Sequence, residues 1–498
     1  MISAKNQSLG FKKNPFSKFS AEEELEFHEE IFYQPLFYET LLDDLETGTS
    51  RFILGQRGHG KSSVIHKLKI DLQQRRIFTI VVDRFDDVAI EKNKIELLNL
   101  VLSEFVAKLV VVIDKNQHLL DLLEEDEKKF LCLLLKLFFK PIAHTEYLKA
   151  YNHVENVNVK NWFRRIWNRI VTPANSTINS AILVTSTIVA EHFGIQKYGE
   201  FRSPEYFGKI EEIDVVTLTE EELKTKKDKR SLKEILDKAN RIVKKCGFRS
   251  SVVLFDKVDE FQDLDQDVLK ISAFVEDILT DTELLLQNDI AIAFSLWSEL
   301  KPILARKVRF DKFKEIDISW KKSDMQPLID KRIKHFSTRS IKLDQLIKTK
   351  TDVDILISIS NNSPRDLISC LSDIYDFQDS KSSLTHFESN AVSKGFIKFA
   401  KRYDYFSVYP SRTGKNKDVL TMINRLLRNK KSTFGIGDMN ETFNQKTRWS
   451  DKNCIEPMLK YRLIKQDDKL GPNNERIYIV VDPKIRFLMS RGAQSLDG

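Results

Sequence analysis

Cysteine is scarce in this chain. Four occur in 498 residues, Cys132, Cys246, Cys370 and Cys454, and no two form a CxxC pair. That pattern excludes a disulfide scaffold, argues against a zinc site and suits a reducing compartment. The nine histidines are scattered as well, so no structural metal is expected. Glycine, at 16, and proline, at 12, are too few and dispersed for long low-complexity linkers or a fixed-period repeat. Long apolar runs are also missing. Residues 181–190 are interrupted by Thr185, Ser186 and Thr187, and the run falls short of the ~20 residues that cross a bilayer. Residues 1–18 are polar and lack the apolar core of a signal peptide. A cytoplasmic protein without membrane contact is therefore expected.

What is present has the balance of a folded protein, 41% hydrophobic and 31% charged. At ~150 residues per domain the length suggests two to four domains. The net charge of +7 is unevenly placed, because residues 398–498 hold 21 Lys and Arg against 11 Asp and Glu. A basic end on a near-neutral body fits a polyanion partner or a solubilising surface.

The sharpest signal is Gly55-Gln56-Arg57-Gly58-His59-Gly60-Lys61-Ser62, followed by Ser63. Phe52, Ile53 and Leu54 before it read as a strand, and Val64, Ile65, Leu68 and Ile70 after it as a helix. This is the context that the phosphate-binding pattern G-x-x-x-x-G-K-[ST] requires. Glycines let backbone N–H groups curl around a β-phosphate, and the helix N-terminus adds partial positive charge. Lys61 would reach the β- and γ-phosphates, and the Ser62 hydroxyl would ligate Mg²⁺.

Such a site needs a second apolar strand ending in a carboxylate. Val252, Val253, Leu254, Phe255 and Asp256 fit, with Asp256 placed to hold Mg²⁺ through water. Glu260 or Asp259 could orient the attacking water. The stretch from Asp256 to Asp259 superficially resembles the guanine-reading N-K-x-D, but Asp256 replaces its Asn and no D-x-x-G switch follows the loop. Two further strands are predicted over 76–83 and 289–296, the second carrying Ser295.

Together these residues resemble the AAA+/STAND branch of P-loop ATPases, and in particular orphan prokaryotic members with a helical lid and a winged helix. Besides the two motifs, the resemblance is carried by Pro35-Leu36-Phe37-Tyr38, similar to adenine-contacting segments, and by Asn361-Asn362-Ser363-Pro364-Arg365-Asp366-Leu367, which looks like a sensor-2 stretch. It implies that Arg365 reaches the γ-phosphate from a lid helix and that Ser295 or Ser298 senses it. The same resemblance puts Trp297 at a position that related proteins give to arginine. It further implies that Arg306 or Arg309 could act as a finger in a neighbouring subunit. Lys257 departs from the pattern, standing where many members have an acidic residue.

The implied fold class is an α/β additional-strand P-loop NTPase: a parallel sheet with a helical insertion, a helical lid and a C-terminal winged helix. The expected division is an N-terminal helical segment (1–46), an ATPase core (47–300) with the insertion at about 91–240, a lid (301–395) and a winged helix (396–498). The lid is expected to open at Ile316–Trp320. In the insertion, Trp162, Phe163, Ile166 and Trp167 would form one apolar helix face. At the C-terminal end, helices over 419–428 and 452–461, a turn with Gly435 and Gly437, and a hairpin from Arg462 to Val481 are expected. Lys452, Lys460, Lys469 and Arg476 are candidate phosphate contacts. The implied function is a Mg²⁺-dependent ATP-binding and hydrolysing switch that forms homo-oligomers and regulates a partner effector protein, as in phage defence. The alternatives are an initiator or loader binding duplex DNA through residues 398–498, and a catalytically weak nucleotide-bound scaffold.

Overall fold

The computed structural model describes residues 3–85, 88, 90, 93–124, five positions between 127 and 138, 229–287, 289–409, 418–471 and 475–496. The expected face around Trp162 and the run 181–190 lie outside the described residues.

Five parallel strands form the central sheet: β1 (Arg51–Gly55), β2 (Phe78–Val82), β3 (Ser251–Phe255), β4 (Ile290–Trp297) and β5 (Glu315–Ile318), in the order β2-β3-β4-β1-β5. Every residue of β3 and β4 is buried, as expected of strands covered on both faces. The period-two alternation of a strand then sorts neighbouring residues into two cores. Ile53, Val252, Leu254, Ala291 and Ala293 enter one apolar cluster, which includes Val64, Ile65 and Leu68 of the helix Lys61–Gln74. Phe52, Leu54, Val253, Phe255, Ile292 and Phe294 enter the other, with the helices Asn93–Lys115, Lys229–Lys245 and Val268–Leu279. The first two of those three helices, assigned above to the insertion, are thus part of the layer that covers the sheet.

β5 corrects the expected start of the lid. Ile316 and Ile318 are buried while Asp317 between them is exposed, so the segment serves as an edge strand paired with β1. The core sheet therefore extends past residue 300. Helices Lys322–Phe336, Lys350–Ile359, Pro364–Phe377 and Ser389–Arg402 follow. The N-terminal residues pack on this helical layer rather than standing apart: Lys5 Nζ donates to Tyr375 O at 2.9 Å and Arg332 Nε to Pro15 O at 2.5 Å.

The C-terminal part runs helix Val419–Asn429, β6 (Thr433–Gly435), helix Ile436–Phe443, a helical run from Thr447 to Lys460, β7 (Ile464–Leu470), β8 (Arg476–Val480) and helix Pro483–Ser490. The strands form an antiparallel sheet in the order β6-β8-β7. The predicted glycine turn is instead a strand end and a helix start: Gly435 closes β6, and its N–H donates to Asp438 Oδ2 at 2.8 Å, capping the helix that contains Gly437. The next helix begins at Thr447 rather than Lys452.

Candidate nucleotide-binding site

β1 delivers the chain to a loop whose Gly58 and Gly60 have φ of +80° and +88°, a left-handed backbone that glycine adopts without steric penalty. A Cβ at Gly58 would also stand 2.5 Å from Ser363 Oγ. The helix Lys61–Gln74 starts with no side-chain cap, so its first amides and its positive dipole end suit an anion. Lys61 is 8% exposed, and its Nζ donates to Gly55 O at 3.1 Å.

Asp256 arrives from β3, two strands away. Its N–H donates to Val82 O at 3.0 Å, and its carboxylate is 3% exposed. Burial pushes this carboxyl above the ordinary range, against the Ser62 and Ser295 hydroxyls and the charge of Lys61 beside it. Ser295 Oγ is buried in β4 and completes no hydrogen bond of good geometry among the described residues. β4 thus lies between the strand bearing Asp256 and the strand feeding the glycine loop. The fold is that of an α/β P-loop NTPase domain.

The sequence matches no protein-family description and no curated protein. Among solved structures, the chain is similar to the Aeropyrum pernix ORC2 protein in ADPNP–ADP complexes, at 8% identity and a TM-score of 0.39, covering 96% of this chain and 97% of that one. It is also similar to the Aeropyrum pernix ORC1 protein in complex with DNA, at 8% identity and a TM-score of 0.36, covering 94% and 95%. The strand order and the loop, rather than these overlaps, define the fold.

The two candidate carboxylates after Asp256 occupy different environments in this cleft. Asp259 is 4% exposed and held by Arg57, whose Nε lies 3.1 Å from its Oδ2 and whose Nη2 donates to its backbone O at 2.7 Å. The same guanidinium stacks 4.6 Å from the Trp297 ring centroid. Glu260, by contrast, is exposed, although both residues line the cleft. Gln56 is fixed from both ends, accepting from Trp297 Nε1 at 2.9 Å and donating to Glu299 Oε1 at 3.2 Å, and Arg462 reaches Glu299 at 3.1 Å.

Arg365 lies at the start of the helix Pro364–Phe377, directly against the loop. Its N–H donates to Gly58 O at 3.3 Å, and its exposed side chain faces the cleft without a partner among the described residues. Asn361 and Asn362, with φ of +50° and +57°, turn the chain into this helix, and Ser363 caps it. His59 and Ser63 are engaged elsewhere: His59 Nδ1 meets Ile318 O at 3.1 Å, and Ser63 Oγ meets His28 Nε2 at 2.8 Å. Burial, helped by His66 and Lys67, pushes His28 down to about 4, which keeps it neutral next to the start of the helix that follows the glycine loop. Arg306 is exposed, and Arg309 pairs with Asp311 at 2.8 Å; neither lines the cleft.

One wall of the cleft was not anticipated. Phe19, Ser20, Ile31, Phe32 and Tyr33 of the N-terminal segment line it, with Trp320, Leu328 and Arg332. The expected contact segment lies elsewhere, since Leu36 is 99% exposed and Tyr38 is buried with its hydroxyl donating to Asp71 at 2.7 Å. No motif marks residues 19–33. Their dense aromatics are the one signal that could have pointed to a wall.

Proposed function

We propose that this cleft binds ATP with Mg²⁺ and hydrolyses it, so that the chain is a nucleotide-driven switch. The observation that carries the reading is the convergence of Lys61, Ser62 and Asp256 on one cleft faced by Arg365 and Glu260. The first-turn amides and Lys61 would take the β- and γ-phosphates, Lys61 exchanging its carbonyl partners for phosphate oxygens. The apolar wall at Phe19, Ile31 and Tyr33 suits a base.

A buried carboxylate beside two hydroxyls fits Mg²⁺, which keeps several waters and needs few protein ligands. Ser62 and Asp256 would hold it, and it would supply charge neutralisation on the phosphate oxygens. Glu260 would orient a water. As the water oxygen bonds to the γ-phosphorus, the bond to the β-bridging oxygen breaks, and the water proton passes by way of Glu260. ADP and phosphate result, with Arg365 steadying the charge that develops. Asp259, bound by Arg57, is the poorer base.

Glu260→Gln should lower phosphate release by about 10²–10⁴-fold while leaving ATP affinity nearly unchanged, as measured by steady-state turnover and equilibrium titration. Undiminished turnover would remove Glu260 from the mechanism and favour the view of the chain as a catalytically weak scaffold. Self-assembly with an arginine acting in trans, and an effector partner in phage defence, rest on the family resemblance alone.

A second reading is favoured by the C-terminal surface. We infer a winged helix from the helix–strand–helix–helix–hairpin order, with Arg448, Lys452 and Lys460 exposed on the helical run from Thr447 and Lys469 and Arg476 on the hairpin. Basic groups so placed suit the phosphates of duplex DNA. Replacing Arg448, Lys460, Lys469 and Arg476 with alanine should weaken duplex binding and flatten its salt dependence by about one log unit per lost phosphate contact. Unchanged affinity over a salt titration would reject this reading.

A further inference from the structure

The residue that breaks the family pattern has a definite place in the structure. Lys257 follows Asp256 directly and takes φ of +58°, a left-handed conformation uncommon for a side chain of this kind. Its Nζ lies 2.6 Å from Glu22 Oε1 and 3.8 Å from Asp83 Oδ2. Glu22 begins the short helix Glu22–Phe27, within the stretch that contributes Phe19, Ser20, Ala21, Ile31, Phe32 and Tyr33 to the cleft wall.

That stretch is tied to three neighbours. Glu24 pairs with Arg332 at 2.5 Å, on the helix Lys322–Phe336. Glu29 pairs with Lys67 at 3.2 Å and His28 meets Ser63 at 2.8 Å, both on the helix Lys61–Gln74. Among the described residues, Glu22–Lys257 is the ion pair that joins it to the turn after β3. Without this pair, the ion pairs of the described residues would anchor the wall to the helix Lys61–Gln74 and the helical layer but not to the turn after the strand that carries Asp256.

We propose that Lys257 is a positioning residue that clamps the N-terminal wall onto the nucleotide cleft through Glu22, and so sets nucleotide affinity rather than the rate of hydrolysis. This rests on the functional reading above. A cation is required at this position because the wall presents a carboxylate there. An acid at residue 257, as in the family pattern, would repel Glu22 and Asp83. An exposed ion pair contributes little by itself. Here the side chains are 22% and 39% exposed; reversing the charge of Lys257 would set three carboxylates against one another, and reversing that of Glu22 would set two ammonium groups together.

The test is a charge swap in the full-length chain. Lys257→Glu and Glu22→Lys should each raise the KM for ATP by about tenfold or more with kcat little changed, the pattern of lost uniform binding. The double swap should bring KM back close to that of the unaltered chain. Hydrogen exchange over residues 19–33, measured without nucleotide, should speed up in each single variant and slow again in the double. This second readout does not depend on ATP binding. If the unaltered chain binds no ATP while the exchange follows the swap, the functional reading fails and the clamp stands. Exchange that ignores the substitutions would overturn the clamp. So would a kcat that collapses in Lys257→Glu and stays low in the double swap, since Lys257 would then act on the phosphate itself.

Discussion

Lys61→Ala should abolish measurable ATP turnover, with a loss on the order of 10²–10³-fold or more, and should weaken ATP binding more than nucleoside binding. The side chain is almost fully buried, with the carbonyls of Gly55 and Gln56 as its partners. Its charge also acts on the Asp256 carboxylate. Removing it takes away the charge that would meet the β- and γ-phosphates and leaves a buried carboxylate without its neighbouring cation. Titration with ATP, ADP and adenosine separates these effects, because in the proposed binding mode adenosine would rest on the wall at residues 19–33 and not on the lysine. If Lys61→Ala binds and hydrolyses ATP normally, the glycine loop is not a phosphate site in this protein.

The second large effect concerns stability, at the junction between the helical layer and the C-terminal part. Asp366 and Lys484 are 8% and 1% exposed and lie 3.3 Å apart, with Lys484 Nζ 3.9 Å above the Tyr403 ring. Asp482 beside them caps the helix Pro483–Ser490 and accepts from Tyr409 at 2.8 Å. Burial raises the Asp366 carboxyl above its usual range, with the Lys484 charge and the Tyr403 hydroxyl opposing the shift. Lys484→Met should therefore destabilise the chain by about 3–5 kcal/mol, because it strands a buried carboxylate, whereas Asp366→Leu combined with Lys484→Met should recover most of that loss. Urea midpoints for the two variants would decide the matter. Equal destabilisation by the single and double changes would mean that packing, rather than the charge pair, holds this junction. Asp366 directly follows Arg365, so the same helix start serves both the cleft and the junction.

Much of the core was legible because its signals are local. A strand ending in glycines and Lys-Ser needs no distant partner to be recognised, since its backbone geometry is written in eight consecutive residues. The same holds for β3, whose four apolar residues before Asp256 announce burial on both faces. β5 was misread for a complementary reason. Ile316-Asp317-Ile318 has the alternation of a half-exposed strand, and only its pairing with β1 shows that it belongs to the core sheet. The helix Ile436–Phe443 was missed because Gly435 and Gly437 resemble a turn until Asp438 is seen capping the strand end. The helices Asn93–Lys115 and Lys229–Lys245 read in sequence as part of the insertion yet pack on the sheet, because amphipathic helices look alike whether they cover a sheet or project from it.

The sequence by itself determined the parallel-sheet class, the glycine loop between strand and helix, the acid-terminated strand and the position of Arg365 at a helix start, since each depends on residues adjacent in the chain. Which of Asp259 and Glu260 is available was decided only by tertiary contact, because Arg57 comes from more than two hundred positions away in sequence to neutralise one of them. The identity of the cleft wall was likewise decided in three dimensions. Residues 19–33 reach the site through ion pairs and aromatic packing with three separate elements, and contacts of that range leave no periodic trace in the chain.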